Sequence, residues 1–491
     1  MAFSNTLKEL IQEKYNPVVE VKVYCYDGVD EFELTGLKNK PNITLSTGDF
    51  FEDRITIANS VTLRFENYDD RYFYDDGTSS IWYENSKWFG LSSQIRIELT
   101  IEGETENIWY GSITNIDYND NYCIVKAKDK LSKILNNKMK VYREEDYAGE
   151  TPPDDLEKLQ FTDKPVGWLM WALLTGYDYD TGLILNTAGE SWYNVSAQLD
   201  NTQTSANVDI DYEIFETSYN RTDDILMSGR FEKDDDLIKT INTELVKFSR
   251  GRIYVDGTTS KFVWFVWQPE PPFIAADFER IKTEKDDIIN LKKSMFSYDI
   301  DNITNQILIK FKYDYTNERY DEGNLYNNVE SVNDVGIQEK DIESPFLQNE
   351  TIVNDIVSNI LERYKSVNKR SIKNFKVDTD LSALFLKPGM FAIITDENNN
   401  IVEGLFEVMK VKINLETRNA TVELSDAAMY QLIDDEKWSF FWGTNTDGFG
   451  HGGDGAVEYT LNDIENNLNG AIFFAKFSGD LPAENLGYIF F

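Results

Sequence analysis

The chain has 491 residues and a formal net charge of −38, with 86 acidic against 48 basic side chains. That length suits about two to four domains rather than one core, and 41% apolar with 14% aromatic content excludes a disordered chain. The acidic excess disfavours tight binding to a phosphate backbone; it would keep a soluble protein dispersed, or line a conduit that DNA passes without adhering.

Ser4 to Tyr15 reads as a short amphipathic helix, with Leu7, Leu10, Ile11 and Lys14 at helical spacing and Pro17 ending it. The segment has no basic start and no continuous apolar run, so it does not read as a cleaved signal peptide. Val18 to Tyr26 alternates apolar and polar residues and predicts a strand. Val61, Leu63 and Phe65 predict the next. Ile95, Ile97, Leu99 and Ile101, set against Arg96, Glu98 and Thr100, form the cleanest alternation in the chain. Ile113 and Ile116 lead into the turn Asn119-Asp120-Asn121, the chain returns through Cys123 to Ala127, and Lys128 to Leu135 reads as a closing helix.

Asp146 to Pro165, acidic and proline-bearing, reads as a linker. Val166 to Leu174 (VGWLMWALL) is too short to span a bilayer and predicts a buried helix, so no stable membrane insertion is expected. Asn186 to Asn207 is polar with few core positions. Asp234 to Phe248 predicts the best helix, with Leu237, Ile241, Leu245 and Phe248 on one face and Gly251 ending it. A hairpin follows, Arg252 to Val255 and Lys261 to Trp267, turning at Asp256-Gly257. Ile288 to Lys312 predicts two more strands, and Thr351 to Tyr364 another helix carrying Ile352, Ile356, Ile360 and Leu361. Leu386 to Asp426 repeats the strand-and-turn pattern of Ile55 to Leu135. After Trp438 the chain turns glycine- and aromatic-rich.

Little in the sequence carries reaction chemistry. His451 is the one histidine, and it sits in GFGHGGDG with no fixed orienting partner, which argues against histidine-based triads and zinc hydrolase chemistry. Asp178 to Gly182 (DYDTG) and Asp396 to Asn400 (DENNN) resemble fragments of a calcium loop without its full donor set, and the second reads as a hairpin turn. Carboxylates are so numerous that acid pairs say nothing by themselves. Cys25 and Cys123 sit in strand-like runs and read as small core residues. No cofactor, metal or catalytic residue is expected, and the chain does not read as an enzyme. The aromatic pairs of the tail are the candidate docking residues: Phe473, Phe474, Phe477, Tyr488, Phe490 and Phe491, since a free apolar end is unstable in water unless it docks.

Three passages together resemble the hub proteins of tailed-bacteriophage tails and baseplates. They are VTLRFENYDDRYFYDDG with the following LSSQIRIELTI and WYGSITNIDYNDNYCIVKAKDKLSKIL; DDLIKTINTELVKFSRGRIYVDGTTSKFVWF; and LKPGMFAIIT with LFEVMKVKINLETRNATVEL. The resemblance implies a mainly β fold with α+β insertions: two tail-tube-like β-barrel or sandwich domains plus inserted mixed domains. The expected division is residues 1–145, first tube-like domain; 146–300, inserted α+β region; 301–435, second tube-like domain; and 436–491, a C-terminal extension. The resemblance also implies a homotrimer in the virion tail tip, assembled in the host cytoplasm. Three chains would then present six tube-type domains to a hexameric tube. Expected partners are the tail tube or distal tail protein, a central spike or fibre, and the tape-measure protein, with DNA passing through the lumen unbound. Two other readings stay open: a tail-associated protein that binds or hydrolyses cell-wall glycan, and the spike-base hub of a contractile injection system.

Overall fold

Period-two alternation becomes strand wherever one face can be buried. The computed structural model describes residues 7, 10, 11, 18–47, 58–74, 80–134, 158–187, 190, 191, 196–232, 236–266, 279–281, 303–364, 375–396 and 401–426. Leu7, Leu10 and Ile11 are helical, and Leu7 and Ile11 enter the first core. The strands then run β1 (Val19–Tyr26), β2 (Glu31–Glu33), β3 (Asn42–Ser46), β4 (Ser60–Glu66), β5 (Phe73–Tyr74), β6 (Ser80–Tyr83), β7 (Lys87–Gly90), β8 (Gln94–Ile101), β9 (Glu104–Tyr118) and β10 (Tyr122–Lys128). In β4 and β8 the apolar set of the alternation is the buried set. The polar turn after β9 closes on Asn119, whose Oδ1 accepts the Asn121 and Tyr122 amides at 2.9 and 3.0 Å. The helix expected after it is one turn, α1 (Leu131–Ile134).

The middle of the chain has its own core. β11 (Lys158–Pro165) leads into α2 (Val166–Thr175), every residue of which is buried. The two-residue strands β12 (Asn186–Thr187) and β13 (Glu190–Ser191) pair within the polar stretch. Then come α3 (Tyr212–Asn220), capped by Asp211, and β14 (Leu226–Glu232), which pairs antiparallel with β11. The helix α4 starts at Leu237–Thr240, widens into a π-helical segment at Ile241–Val246 and ends at Lys247–Ser249. The hairpin β15 (Arg252–Val255) and β16 (Phe262–Phe265) follows. Gly251 does not terminate α4 through its own left-handed backbone; Arg250 does, at φ 56°. Gly251 is needed for packing, since a Cβ there would lie 2.6 Å from Trp264 Nε1.

β17 (Glu279–Ile281) precedes a three-stranded sheet with β18 (Gln306–Asp314) at its centre, β19 (Arg319–Asn327) antiparallel on one side and β20 (Glu339–Glu343) parallel on the other. Helix α5 (Val329–Val335) joins those two edges, and α6 (Glu350–Tyr364) buries Val353, Ile356, Val357, Ile360 and Leu361 against the same core. The last strands are β21 (Phe375–Asp380), β22 (Phe391–Asp396), β23 (Ile401–Asn414) and β24 (Asn419–Asp426).

The architecture is mainly β. One twelve-stranded sheet holds both β modules, in the order β17-β22-β23-β3-β4-β10-β9-β8-β1-β2, with β24 pairing β23 and β21 pairing β24. Its core is continuous, from Leu7 to Ala127 and again from Leu381 to Leu424. The second core draws on Leu131 and on residues from Phe161 to Leu361.

Three expectations change. No closed barrel is seen among the described residues; the sheet is open, because the first module continues into the second instead of returning on itself. Residues 158–165, expected in the linker, form β11. Apolar residues from Ile307 to Leu361, expected on the second-module side of a boundary at 301, pack into the middle core. Of the two strands expected over Ile288 to Lys312, the part before residue 303 lies outside the described residues, as do residues 397–400 of the expected hairpin turn and the whole extension from 436.

Candidate functional site: the strand junction and its hairpin clamp

Joining two modules edge to edge requires strands whose outer hydrogen-bonding groups are left free by their own sheets. β3 and β23 supply them. They pair antiparallel from Asn42↔Asn414 to Ser46↔Lys410. Around the ladder, the Thr47 amide donates to the Met409 carbonyl at 2.9 Å, and the Lys40 amide to Glu416 Oε2 at 3.0 Å. Lys40 Nζ reaches back to the Val19 carbonyl at 2.7 Å, so the junction is also tied to β1.

The β15–β16 hairpin of the middle region grips β23 three residues before this ladder begins. Arg252, at the start of β15, places Nη2 2.8 Å from Glu407 Oε1 on β23, with both side chains almost fully enclosed. Its Nη1 donates to the Gly251 carbonyl at 3.0 Å. Gly389 lies against the aliphatic part of Arg252: its φ is +87°, and a Cβ would fall 2.2 Å from Arg252 Cγ.

Beside this pair, burial pushes the Lys387 ammonium below its usual value, and the Asp256 charge opposes that. Burial pushes Asp256 upward, but Lys387 and hydrogen bonds from Thr258 and Thr259 outweigh it, so its carboxyl sits below the usual range. The hairpin loop also meets the first module, where a Cβ on Gly257 would lie 2.1 Å from the Ile108 carbonyl oxygen. One hairpin therefore touches both modules, through backbone packing on one and buried charge on the other.

A second tie lies where the first module hands the chain to the middle region. Asp129 Oδ2 accepts the Asn59 amide at 2.9 Å and its Oδ1 accepts the Leu131 amide at 3.1 Å. Burial raises its carboxyl to about 7 despite those bonds. The π-helical segment of α4 holds another enclosed acid: burial raises Glu244 to about 7, and Ser344 Oγ donates to it at 2.7 Å. A carboxyl with a raised pKa suits general acid work only where a substrate reaches it and a second carboxylate faces it across a groove. Each of these acids is instead enclosed and hydrogen-bonded to its own neighbours.

A row of aromatics on the β5–β6–β7 sheet runs from exposed Phe73 to half-buried Trp82 and Trp88. Phe73 packs on Trp82 with centroids 6.1 Å apart and planes 11° from parallel, and Trp82 packs on Trp88 at 3.8 Å.

The residues singled out from sequence fall as follows. Phe473, Phe474, Phe477, Tyr488, Phe490 and Phe491, and His451, lie outside the described residues. Asp178 Oδ1 accepts the Asp180 and Thr181 amides, both at 2.9 Å, and Gly182 is at φ +67°, so DYDTG is a tight turn. Among the described residues no group of three or more His, Cys, Asp or Glu could hold a metal ion, and no helix is long and apolar enough to cross a membrane. Cys25 and Cys123 are both buried and unpaired with each other. The junction and its clamp were missed at the sequence level; the LKPGMF turn containing Gly389 was the one local signal.

No protein-family model matches the sequence, and no curated protein does. Among solved structures, the chain is similar in fold to a tail protein and to prophage tail proteins. These include the tail protein from Neisseria meningitidis MC58, at 10% identity and a TM-score of 0.46, covering 84% of this chain and 98% of that one. They also include the tail protein of prophage MuSo2 from Shewanella oneidensis, at 9% identity and 0.44, covering 82% and 98%. A third is prophage tail protein gp18 from Listeria monocytogenes EGD-e, at 10% identity and 0.43, covering 83% and 94%.

Proposed function

We propose that this chain is a structural hub of a phage tail tip, forming a trimeric ring that adapts a hexameric tail tube to a central spike or fibre. The observation that carries this reading is the repetition inside one chain. β4-β10-β9-β8 and β21-β24-β23-β22 share one topology, in which the first strand in sequence pairs with the fourth, the fourth with the third and the third with the second. The two units are already joined by the β3–β23 ladder. A chain carrying two like modules side by side needs three copies to meet a six-fold tube.

On this reading the units divide by core. Residues to about 128 and from about 375 to 426 form the ring modules, and residues from about 129 to 364 form the inserted region. The excess of acid, at a net charge of −38, would let DNA pass through the lumen without adhering. The tail tube or distal tail protein, the spike or fibre, and the tape-measure protein are the partners, and the chain resides in the virion. Its work is assembly and conduction, with no bond made or broken. Mass measurement of the full chain, alone and mixed with tail-tube protein, tests this. Three copies are expected, and a monomer that persists even with the tube protein present would sink the reading.

A further inference from the structure

The two like units differ at one edge. In the second unit the long strand β23 uses its first half, Ile401 to Glu407, to pair with β22, and its far half on that same edge, Lys410 to Asn414, to pair with β3. The other edge is taken by β24. In the first unit the long strand β9 pairs with β8 from Glu104 to Ser112 and with β10 from Ser112 to Tyr118. Ser92 and Ser93 extend the β8 side only as far as Ile113. Beyond that point, among the described residues, no strand pairs with the edge of β9 from Thr114 to Tyr118. Among the described residues, no strand takes on β9 the position that β3 fills on β23.

Burial follows the same difference. Val411 and Ile413 on the covered half of β23 are fully buried, whereas Ile116 and Tyr118 on β9 are half-buried and Thr114, Asn115 and Asp117 are exposed. An exposed edge is normally blunted by proline, lysine or a strong bend. Thr114 to Tyr118 (TNIDY) contains neither proline nor lysine; its one bulge falls at Thr114, at the start of the segment, and its one charge, Asp117, is engaged by Lys126 of β10 at 3.1 Å. The complementary edge is also present: among the described residues β21, the counterpart of β4, pairs with β24 and with no other strand.

We infer that the β9 edge from Thr114 to Tyr118 receives a second copy of this chain, which docks the side of its second module that β21 borders. The contact repeats between copies the junction that β3 and β23 make within one. Such a contact is head-to-tail, so it closes into a ring or runs on as a filament according to the rotation per copy. Three copies alternate three internal junctions with three intermolecular ones. The inference rests on the hub reading for the number of copies, and on the strand pairings for the residues.

Hydrogen exchange on the full chain, assembled and diluted to monomer, tests it. Backbone amides of a free edge exchange quickly and those of a paired edge do not, so assembly should slow the outward amides between Thr114 and Tyr118 by about tenfold or more. Because amide direction alternates along a strand, one of Asn115→Pro and Ile116→Pro removes an outward donor and the other a donor to β10. The outward variant should keep the monomer's thermal midpoint and lose the ring; the other should lower the midpoint. A ring whose 114–118 amides exchange as in the monomer, or that survives both proline variants, overturns the inference while leaving the hub reading standing. A chain that never assembles, even with tube protein, overturns both.

Discussion

Breaking the Arg252–Glu407 pair one partner at a time should cost far more than removing both. The two side chains are 5% and 4% exposed, 2.8 Å apart, and belong to different parts of the fold. Glu407→Leu leaves an enclosed guanidinium whose Nη1 still donates to the Gly251 carbonyl but whose Nη2 has lost its carboxylate, and Arg252→Met leaves an enclosed carboxylate without its guanidinium. Removing one partner of such a pair costs roughly 3–5 kcal/mol, because the other charge stays desolvated. Replacing both by apolar residues of similar volume is close to neutral, within about 1–2 kcal/mol here, or stabilising. The double-mutant cycle should therefore show a coupling of roughly 3 kcal/mol or more, well above the few tenths expected for independent sites. The assay is urea unfolding of all four proteins, followed by tryptophan fluorescence and by hydrogen exchange at β15 and β23, which isolates the clamp if domains unfold separately. Single losses that simply add in the double variant would refute the account of the pair as a buried, mutually compensating charge couple.

Gly389→Ala should destabilise the clamp by about 2 kcal/mol or more, since it combines a left-handed backbone with a Cβ driven into Arg252; the effect should shrink in an Arg252→Ala background, as read by thermal midpoints. Asp129 has a folded pKa raised from 3.8 to about 7, so the folded state holds its proton longer than the unfolded chain. Its contribution is fully present below about pH 4 and is lost as pH rises through about 7. Asp129→Asn should flatten that slope, by on the order of 3 kcal/mol between pH 4 and 8 in urea midpoints. Cys25 and Cys123, both buried with thiols pushed up to about 12, should resist alkylation in the native protein at pH 8 and react on unfolding, as counted by mass. Trp88→Ala, at a half-buried ring packed on Trp82, should cost roughly 1–2 kcal/mol in urea midpoints while shifting the fluorescence maximum little, because the buried tryptophans Trp171 and Trp264 remain.

Local grammar carried much of the fold. The alternation in Gln94–Ile101 and Ser60–Glu66, the apolar run of Val166 to Leu174 and the spacing of Leu237, Ile241, Leu245 and Phe248 each announce the element that forms, because one face must be buried within a few residues. Acid and proline concealed β11: Pro165 stands at the strand's last position, and Asp163 takes a positive φ of 49° at an irregularity in the β11–β14 ladder. The π-helical segment in α4 was hidden because its extra residue leaves the apolar spacing nearly unchanged while turning Glu244 inward. The strand junction could not be read at all. β3 and β23 each show which face is apolar, but periodicity says nothing about which distant edge lies alongside. The clamp was hidden for a related reason: Arg252 and Glu407 look like surface residues until their partners are brought together.

The Lys40–Glu416 contact joins residues 376 positions apart, and the ladder beside it spans nearly as much chain. During synthesis β3 leaves the ribosome long before β23 exists. At translation rates of about 5–20 residues per second, its edge waits roughly 20–75 seconds for its partner. In a crowded cell where many copies are made at once, that interval invites pairing with the β23 of another chain, a swapped form with every native contact and the wrong connectivity. Expression temperature and translation speed should therefore govern the yield of correctly connected protein more strongly than its final stability does.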